Sequence, residues 1–112
     1  LLAADLVGPE GRVVAIEPNP EVFRRLSASI AVNGFSSRTS AHNVALAGPG
    51  ETGERAFFVP TGEPKNGRFL GLQEDPDHLA DHGVVSEVAL GRIDPDAFER
   101  VDFIKIDVEG AE

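Results

Sequence analysis

Acidic and amide side chains stand where apolar segments of this sequence end. Glu17 closes a short β-branched run at residues 12–17. A carboxylate at the end of a buried strand can accept two hydrogen bonds from the vicinal hydroxyls of a ribose, whereas the plainer interpretation is a solvated loop acid. Asn43 follows in a second apolar segment, with Val44 beside it. Its amide could hydrogen-bond an adenine edge while Val44 packs on the ring, although asparagine is also a common turn residue.

The closing run combines an apolar segment with several charged side chains. We expect residues 101–108 to form a buried strand, in which Lys105 needs an acidic partner because an unpaired charge inside a sheet is costly. Asp107 and Glu109 share the parity of Lys105 and would lie at the strand tip. Two carboxylates there could take a proton from a substrate hydroxyl, bind a divalent ion or orient an amine. The alternative is a structural network of ion pairs around Lys105.

Helices and strands are predicted to alternate along the chain. One helix should begin at Asn19, an N-cap followed by Pro20, and end at Asn33 before Gly34. The other expected elements are a helix end at 1–7, strands at 12–17, 41–46, 55–59, 84–93 and 101–108, a long loop at 61–82, and a short helix from 94. This alternation predicts an α/β fold with an open, mostly parallel sheet, in which ligands bind at the carboxyl ends of the strands.

The charge of the chain restricts its partners. Its 19 acidic and 10 basic residues give a net charge of −9, and the basic residues form no cluster. This charge argues against binding to nucleic acid or to anionic membranes and suits a small-molecule substrate. Cysteine is absent, so disulfides and thiolate metal sites are excluded. Neither a signal peptide nor a membrane-spanning run is evident, and a cytoplasmic location is the default expectation. The oligomeric state is not encoded in these patterns.

Three stretches together carry a family resemblance: VVAIEPNP at residues 13–20, NVAL at 43–46 and DFIKIDVEGAE at 102–112. Their order and spacing resemble the FkbM family of S-adenosylmethionine-dependent methyltransferases. The resemblance implies a Rossmann-like class I methyltransferase fold and methyl transfer, usually to a hydroxyl oxygen of a small molecule or sugar. It also implies S-adenosylmethionine as cofactor, with Glu17 at its ribose, Asn43 and Val44 at its adenine, and Asp107 and Glu109 at the reaction centre.

The same resemblance implies that residues 1–112 are a single partial methyltransferase domain. The first strand with its glycine-rich loop should precede this segment, and further strands should follow it. We therefore expect the segment alone to bind the cofactor weakly and to be inactive. Two other classes stay open from the sequence: an NAD(P)-binding Rossmann oxidoreductase, which also places an acid at the ribose, and a non-catalytic interaction module with the same fold.

Overall fold

The computed structural model describes residues 2–48, 50–71 and 73–106. A short helix α1 at Leu2–Leu6 precedes strand β1 at Val13–Ile16, helix α2 at Pro20–Val32 and strand β2 at Thr39–His42. The remaining elements are β3 at Ala45–Leu46, β4 at Glu54–Pro60, a 3-10 turn at Pro64–Asn66, β5 at Arg68–Phe69, α3 at Pro76–Leu79, β6 at Gly83–Gly91 and a second 3-10 turn at Pro95–Ala97.

The first half of the chain forms a parallel β-α-β unit. Strand β1 pairs in parallel with β2, with Val13 opposite Thr39 and Ile16 opposite His42. Helix α2 makes the crossover between them and begins and ends where its sequence predicts, with Asn19 as N-cap and Asn33 as C-cap. Parallel neighbours need a crossover of this kind, and it places both carboxyl ends at the same edge of the sheet.

The second half is a separate four-stranded sheet with the order β3-β6-β4-β5. Strand β3 runs parallel to β6, whereas β4 is antiparallel to both β6 and β5. The expected Rossmann-like, open and mostly parallel sheet is therefore not confirmed: the described strands form a mixed α/β arrangement. The physical reason is that β4 and β5 are joined by a short segment without a crossover helix, which brings them together as antiparallel neighbours.

The segment at 41–46 is two strands and not one. Strand β2 ends at His42, and β3 begins at Ala45 in the other sheet. Between them Asn43 turns its side chain amide to the end of β1, where it donates to the carbonyl oxygens of Glu17 and Pro18. This side-chain bonding competes with continuation of the strand and lets the chain pass from one sheet to the other.

The core lies in the mixed sheet. Ala45, Phe57, Val59 and Val88 form a buried cluster, against which Phe69 and Leu90 pack. The rings of Phe57 and Phe69, which are opposite each other in the β4–β5 register, meet edge to face with centroids 5.0 Å apart. Such pairs add to the free energy of burial because the positive ring edge faces the negative ring face. The β-branched and aromatic run of β4 therefore positions the sheet that supports the following loop.

The predicted strand at 101–108 is wrong for the residues that the structure describes. Residues 101–106 have no strand conformation. Phe103, Ile104 and Ile106 are 84%, 71% and 67% exposed. A parallel strand forms only beside a partner that accepts and donates ladder hydrogen bonds, and no described strand is paired with this segment. Lys105 is accordingly at the surface and not inside a sheet. Among the described residues, every helix is too short or too polar to cross a membrane.

Candidate functional site

The turn between β1 and α2, residues 17–19, is held by its own side chains. The backbone N–H of Asn19 donates to Oε1 of Glu17 at 2.9 Å. The side chain of Asn19 accepts from the backbone N–H groups of Glu21 at 3.1 Å and Val22 at 3.4 Å, which satisfies unpaired donors of the first helical turn. Glu17 is half-buried and Asn19 is only 4% exposed, so the carboxylate stands on a well-fixed turn.

Asn43 joins this turn from the neighbouring strand. Its Nδ2 donates to the carbonyl oxygen of Glu17 at 2.8 Å and to that of Pro18 at 3.1 Å. The backbone N–H of Glu17 donates to the carbonyl of His42 at 3.0 Å, which extends the β1–β2 ladder up to the turn. The structure therefore brings together Glu17 and Asn43, which the sequence placed at two separate strand ends. Both amide hydrogens of Asn43 have acceptors, so its remaining polar atom is the acceptor Oδ1.

Val44 lies beside Asn43 in the chain, but its side chain faces the mixed sheet. A Cβ on Gly91 would lie 3.3 Å from Cγ2 of Val44, so this valine packs against the backbone at the end of β6. Next to it, at the carboxyl ends of the parallel pair β3 and β6, a shallow cavity of about 230 Å³ is lined by Leu46, Ala47, Arg92 and Ile93. Arg92 donates to the carbonyl of Gly48 at 3.0 Å beside this cavity.

The segment that connects β4 and β5 packs against the turn at residues 17–19. A Cβ on Gly67 would lie 2.7 Å from Nδ2 of Asn19 and 2.6 Å from Cε1 of Phe57, so only glycine fits without a shift. From the sequence, Asn19 is predicted only as a helix cap, and Gly67 is not among the predicted site residues. The dipeptide Asn66-Gly67 indicates a turn, and nothing in its pattern reports which surface the turn contacts.

Strand β5, which follows this connection, is tied to the segment after it by an ion pair. Arg68 donates from both of its terminal nitrogens to the two carboxylate oxygens of Glu74, each at 2.7 Å. Glu74 also accepts from the backbone N–H of Gly71 at 2.6 Å. The hydrogen bonds from Arg68 first, and that from Gly71 next, lower the pKa of Glu74 to about 2. Both side chains are partly exposed, so the pair links β5 to the turn at Glu74 more than it stabilises the whole fold.

The two acids assigned to the reaction centre, Asp107 and Glu109, lie outside the described residues. Their roles stay predictions. Within residues 2–48, 50–71 and 73–106, no group of three or more histidine, aspartate or glutamate side chains is arranged to hold a metal ion.

The fold defines a mixed α/β protein in which a carboxylate and an amide meet at adjoining ends of a parallel β-α-β unit. A comparison with protein families identifies the family. The chain belongs to the methyltransferase FkbM domain family, whose model matches residues 1–112, the whole length. It is therefore a methyltransferase domain. Searches of the curated proteins and of the solved structures gave no match.

Proposed function

We propose that this domain is an S-adenosylmethionine-dependent methyltransferase that methylates a hydroxyl oxygen of a small molecule or sugar. The observation that supports this proposal most directly is the fixed carboxylate of Glu17 at the carboxyl end of β1. One of its oxygens already accepts from the backbone N–H of Asn19. Carboxylates have about four lone-pair sites, so acceptor capacity remains for the two hydroxyls of a ribose.

The residues present fit the nucleoside part of this cofactor. Glu17 supplies acceptors for a vicinal diol, and its turn is braced by Asn43. Because both amide hydrogens of Asn43 are engaged, its contact with adenine would run through Oδ1, which accepts from the exocyclic amino group. We keep Val44 as the apolar neighbour of adenine because it directly follows Asn43, although part of its side chain packs against Gly91 at the end of β6.

The cofactor supplies an electrophilic sulfonium methyl group. The proposed contribution of the chain is alignment of the acceptor oxygen and removal of its proton. We assign proton removal to the two acids Asp107 and Glu109, because a carboxylate can take up the proton of a substrate hydroxyl. Positioning of the two reactants contributes most of the rate enhancement in reactions of this kind.

Binding of S-adenosylhomocysteine, the demethylated cofactor, to the full-length protein tests this proposal by titration calorimetry. Glu17→Gln keeps the size of the side chain but removes its charge, and hydrogen bonds to charged groups contribute more than those to neutral ones. We expect the variant to bind about tenfold more weakly, since each factor of ten corresponds to about 1.4 kcal/mol.

Glu21→Gln is the matched control. Glu21 is the next acid along the chain, and its carboxylate pairs with Arg25 on the surface of α2 at 2.9 Å. This variant should bind the cofactor as the wild type does. Binding of NADH in place of S-adenosylhomocysteine would contradict the proposal and favour an oxidoreductase. Equal affinities of wild type and Glu17→Gln would remove Glu17 from the site.

A further inference from the structure

At position 67 there is no room for a side chain, although the backbone conformation would allow any residue. The φ of −60° and ψ of 140° of Gly67 are extended values that any residue adopts. A Cβ there would lie 2.7 Å from Nδ2 of Asn19, and 2.6 and 2.9 Å from Cε1 and Cζ of Phe57. Contacts between carbon and these atoms are normally about 3.5 Å or longer, so one of the neighbours would have to move.

The backbone at Gly67 is not free to retreat from these neighbours. Before it, Asn66 donates its backbone N–H to the carbonyl of Glu63 at 3.0 Å, which closes the 3-10 turn. After it, Arg68 pairs with Phe58 in the β4–β5 ladder, and Leu70 donates to the carbonyl of Ala56 at 3.1 Å. The displacement caused by a side chain at position 67 would therefore fall on Asn19 and Phe57.

Displacement of Asn19 reaches the Glu17 carboxylate directly. The backbone N–H of Asn19 is the donor to Oε1 of Glu17, and its side chain caps α2. Asn19 is only 4% exposed and cannot swing into solvent. A shift of this residue would therefore change the position of the Glu17 carboxylate, which must be aligned with both hydroxyls of a ribose for bidentate hydrogen bonding.

We propose that Gly67 is a positioning residue for the cofactor: its missing side chain lets the β4–β5 connection close on Asn19 and so fixes the carboxylate of Glu17. This inference rests on the proposed function, because it assigns Gly67 a role in cofactor affinity. Gly67 acts through Asn19 and touches no reacting group.

Gly67→Ala in the full-length protein tests the role of this residue. We expect its dissociation constant for S-adenosylhomocysteine to rise about tenfold, the effect of losing or misaligning one hydrogen bond to a charged group. Gly71→Ala, four residues further along and just after β5, is the matched control, because a Cβ on Gly71 has an ordinary contact of 3.4 Å with Glu74 and needs no shift. It should leave the dissociation constant unchanged.

Two second substitutions separate positioning from core packing. Asn19→Ser shortens the side chain and keeps a capping oxygen, so Gly67→Ala with Asn19→Ser should recover most of the affinity. Phe57→Leu makes room on the core side, so Gly67→Ala with Phe57→Leu should recover thermal stability without recovering affinity. If adding Phe57→Leu to Gly67→Ala restored the affinity, the proposal would be overturned, and Gly67 would matter only for packing of the core.

The proposal can still be tested if the Gly67→Ala variant does not fold. In that case Phe57→Leu is the background, and adding Gly67→Ala to it should still weaken S-adenosylhomocysteine binding. Equal binding by wild type and Gly67→Ala would show that only the role of Gly67 is wrong. Failure of the wild type to bind S-adenosylhomocysteine would instead show that the proposed function is wrong, and the role of Gly67 would be rejected with it.

Discussion

The side chain amide of Asn43 donates to the backbone carbonyl of Glu17 at 2.8 Å and links the carboxyl ends of β2 and β1. A second bond from the same nitrogen, to the carbonyl of Pro18 at 3.1 Å, continues into the turn that carries the Glu17 carboxylate. Both carbonyls are thus satisfied by one side chain 25 or 26 residues away in the sequence. Asn43 therefore braces the turn that carries Glu17.

Asn43→Ala should weaken the site and the fold together. Loss of two hydrogen bonds at a half-buried position is expected to cost about 1–2 kcal/mol of unfolding free energy, and cofactor affinity should fall about tenfold because the turn at Glu17 loses its brace. Urea unfolding and titration calorimetry measure the two effects. Asn33→Ala is the control, since Asn33 also donates its amide to a backbone carbonyl, that of Ser29 at 2.8 Å, but at the far end of α2. A normal affinity in Asn43→Ala would exclude the bracing role.

The local elements were largely predictable because their signals are local. Asn19 followed by Pro20 fixes the start of α2, and the β-branched run before Glu17 becomes β1 as expected. The mixed sheet was not predictable from the same signals. An apolar run such as that of β4 fits a parallel or an antiparallel neighbour equally well, and the choice depends on how the chain returns. Prediction failed for residues 101–106 for a related reason. Their sequence pattern is typical of a strand, but a strand also needs a neighbouring strand to pair with, and the pattern does not show whether one is there.

The candidate site was predictable as single residues and not as an arrangement. Strand ends pointed to Glu17 and Asn43, which the structure places in hydrogen-bonding contact. The contribution of Gly67 could not be read from the sequence, because its importance comes from a contact with Asn19 across 48 positions in the chain. Side-chain charge and turn propensity report what a residue can do locally. Which distant surface it meets depends on tertiary packing.

Asp107→Asn should separate catalysis from binding in the full-length enzyme. Asparagine has nearly the same shape as aspartate but cannot take up a proton, so kcat should fall by about 100-fold or more while the dissociation constant for S-adenosylhomocysteine changes little. Steady-state rates with an acceptor and calorimetric titration give the two values. Equal losses in rate and affinity would indicate that Asp107 binds cofactor or supports the fold.

The ion pair between Arg68 and Glu74 predicts a shifted titration. The pKa of Glu74 is lowered to about 2 from 4.5, first by the hydrogen bonds from Arg68. Because the pKa is lower in the folded protein, the stabilisation is present above about pH 4.5, the ordinary value, and is lost as the pH falls towards 2. Arg68→Gln should therefore raise the pKa of Glu74 towards its ordinary value, although the bond from Gly71 keeps it somewhat lower.

Carboxyl carbon shifts in an NMR titration measure this pKa directly. Arg100→Gln provides the control, because Arg100 pairs with a different acid, Asp102, at 3.0 Å and should leave Glu74 unchanged. A Glu74 midpoint near 4.5 in the wild type would show that the bidentate pair does not persist in solution.

Val88 tests whether the mixed sheet contains the main core. It is 2% exposed and packs in the cluster with Ala45, Phe57 and Val59. Val88→Ala removes two methyl groups and leaves a cavity, so the free energy of unfolding in urea should fall by about 2 kcal/mol. Val84→Ala, on the same strand β6 but at a position 63% exposed, should change it by less than about 0.5 kcal/mol. Similar losses for both variants would mean that β6 is not buried on one face in solution. The mixed sheet would then not hold the β4–β5 connection against Asn19.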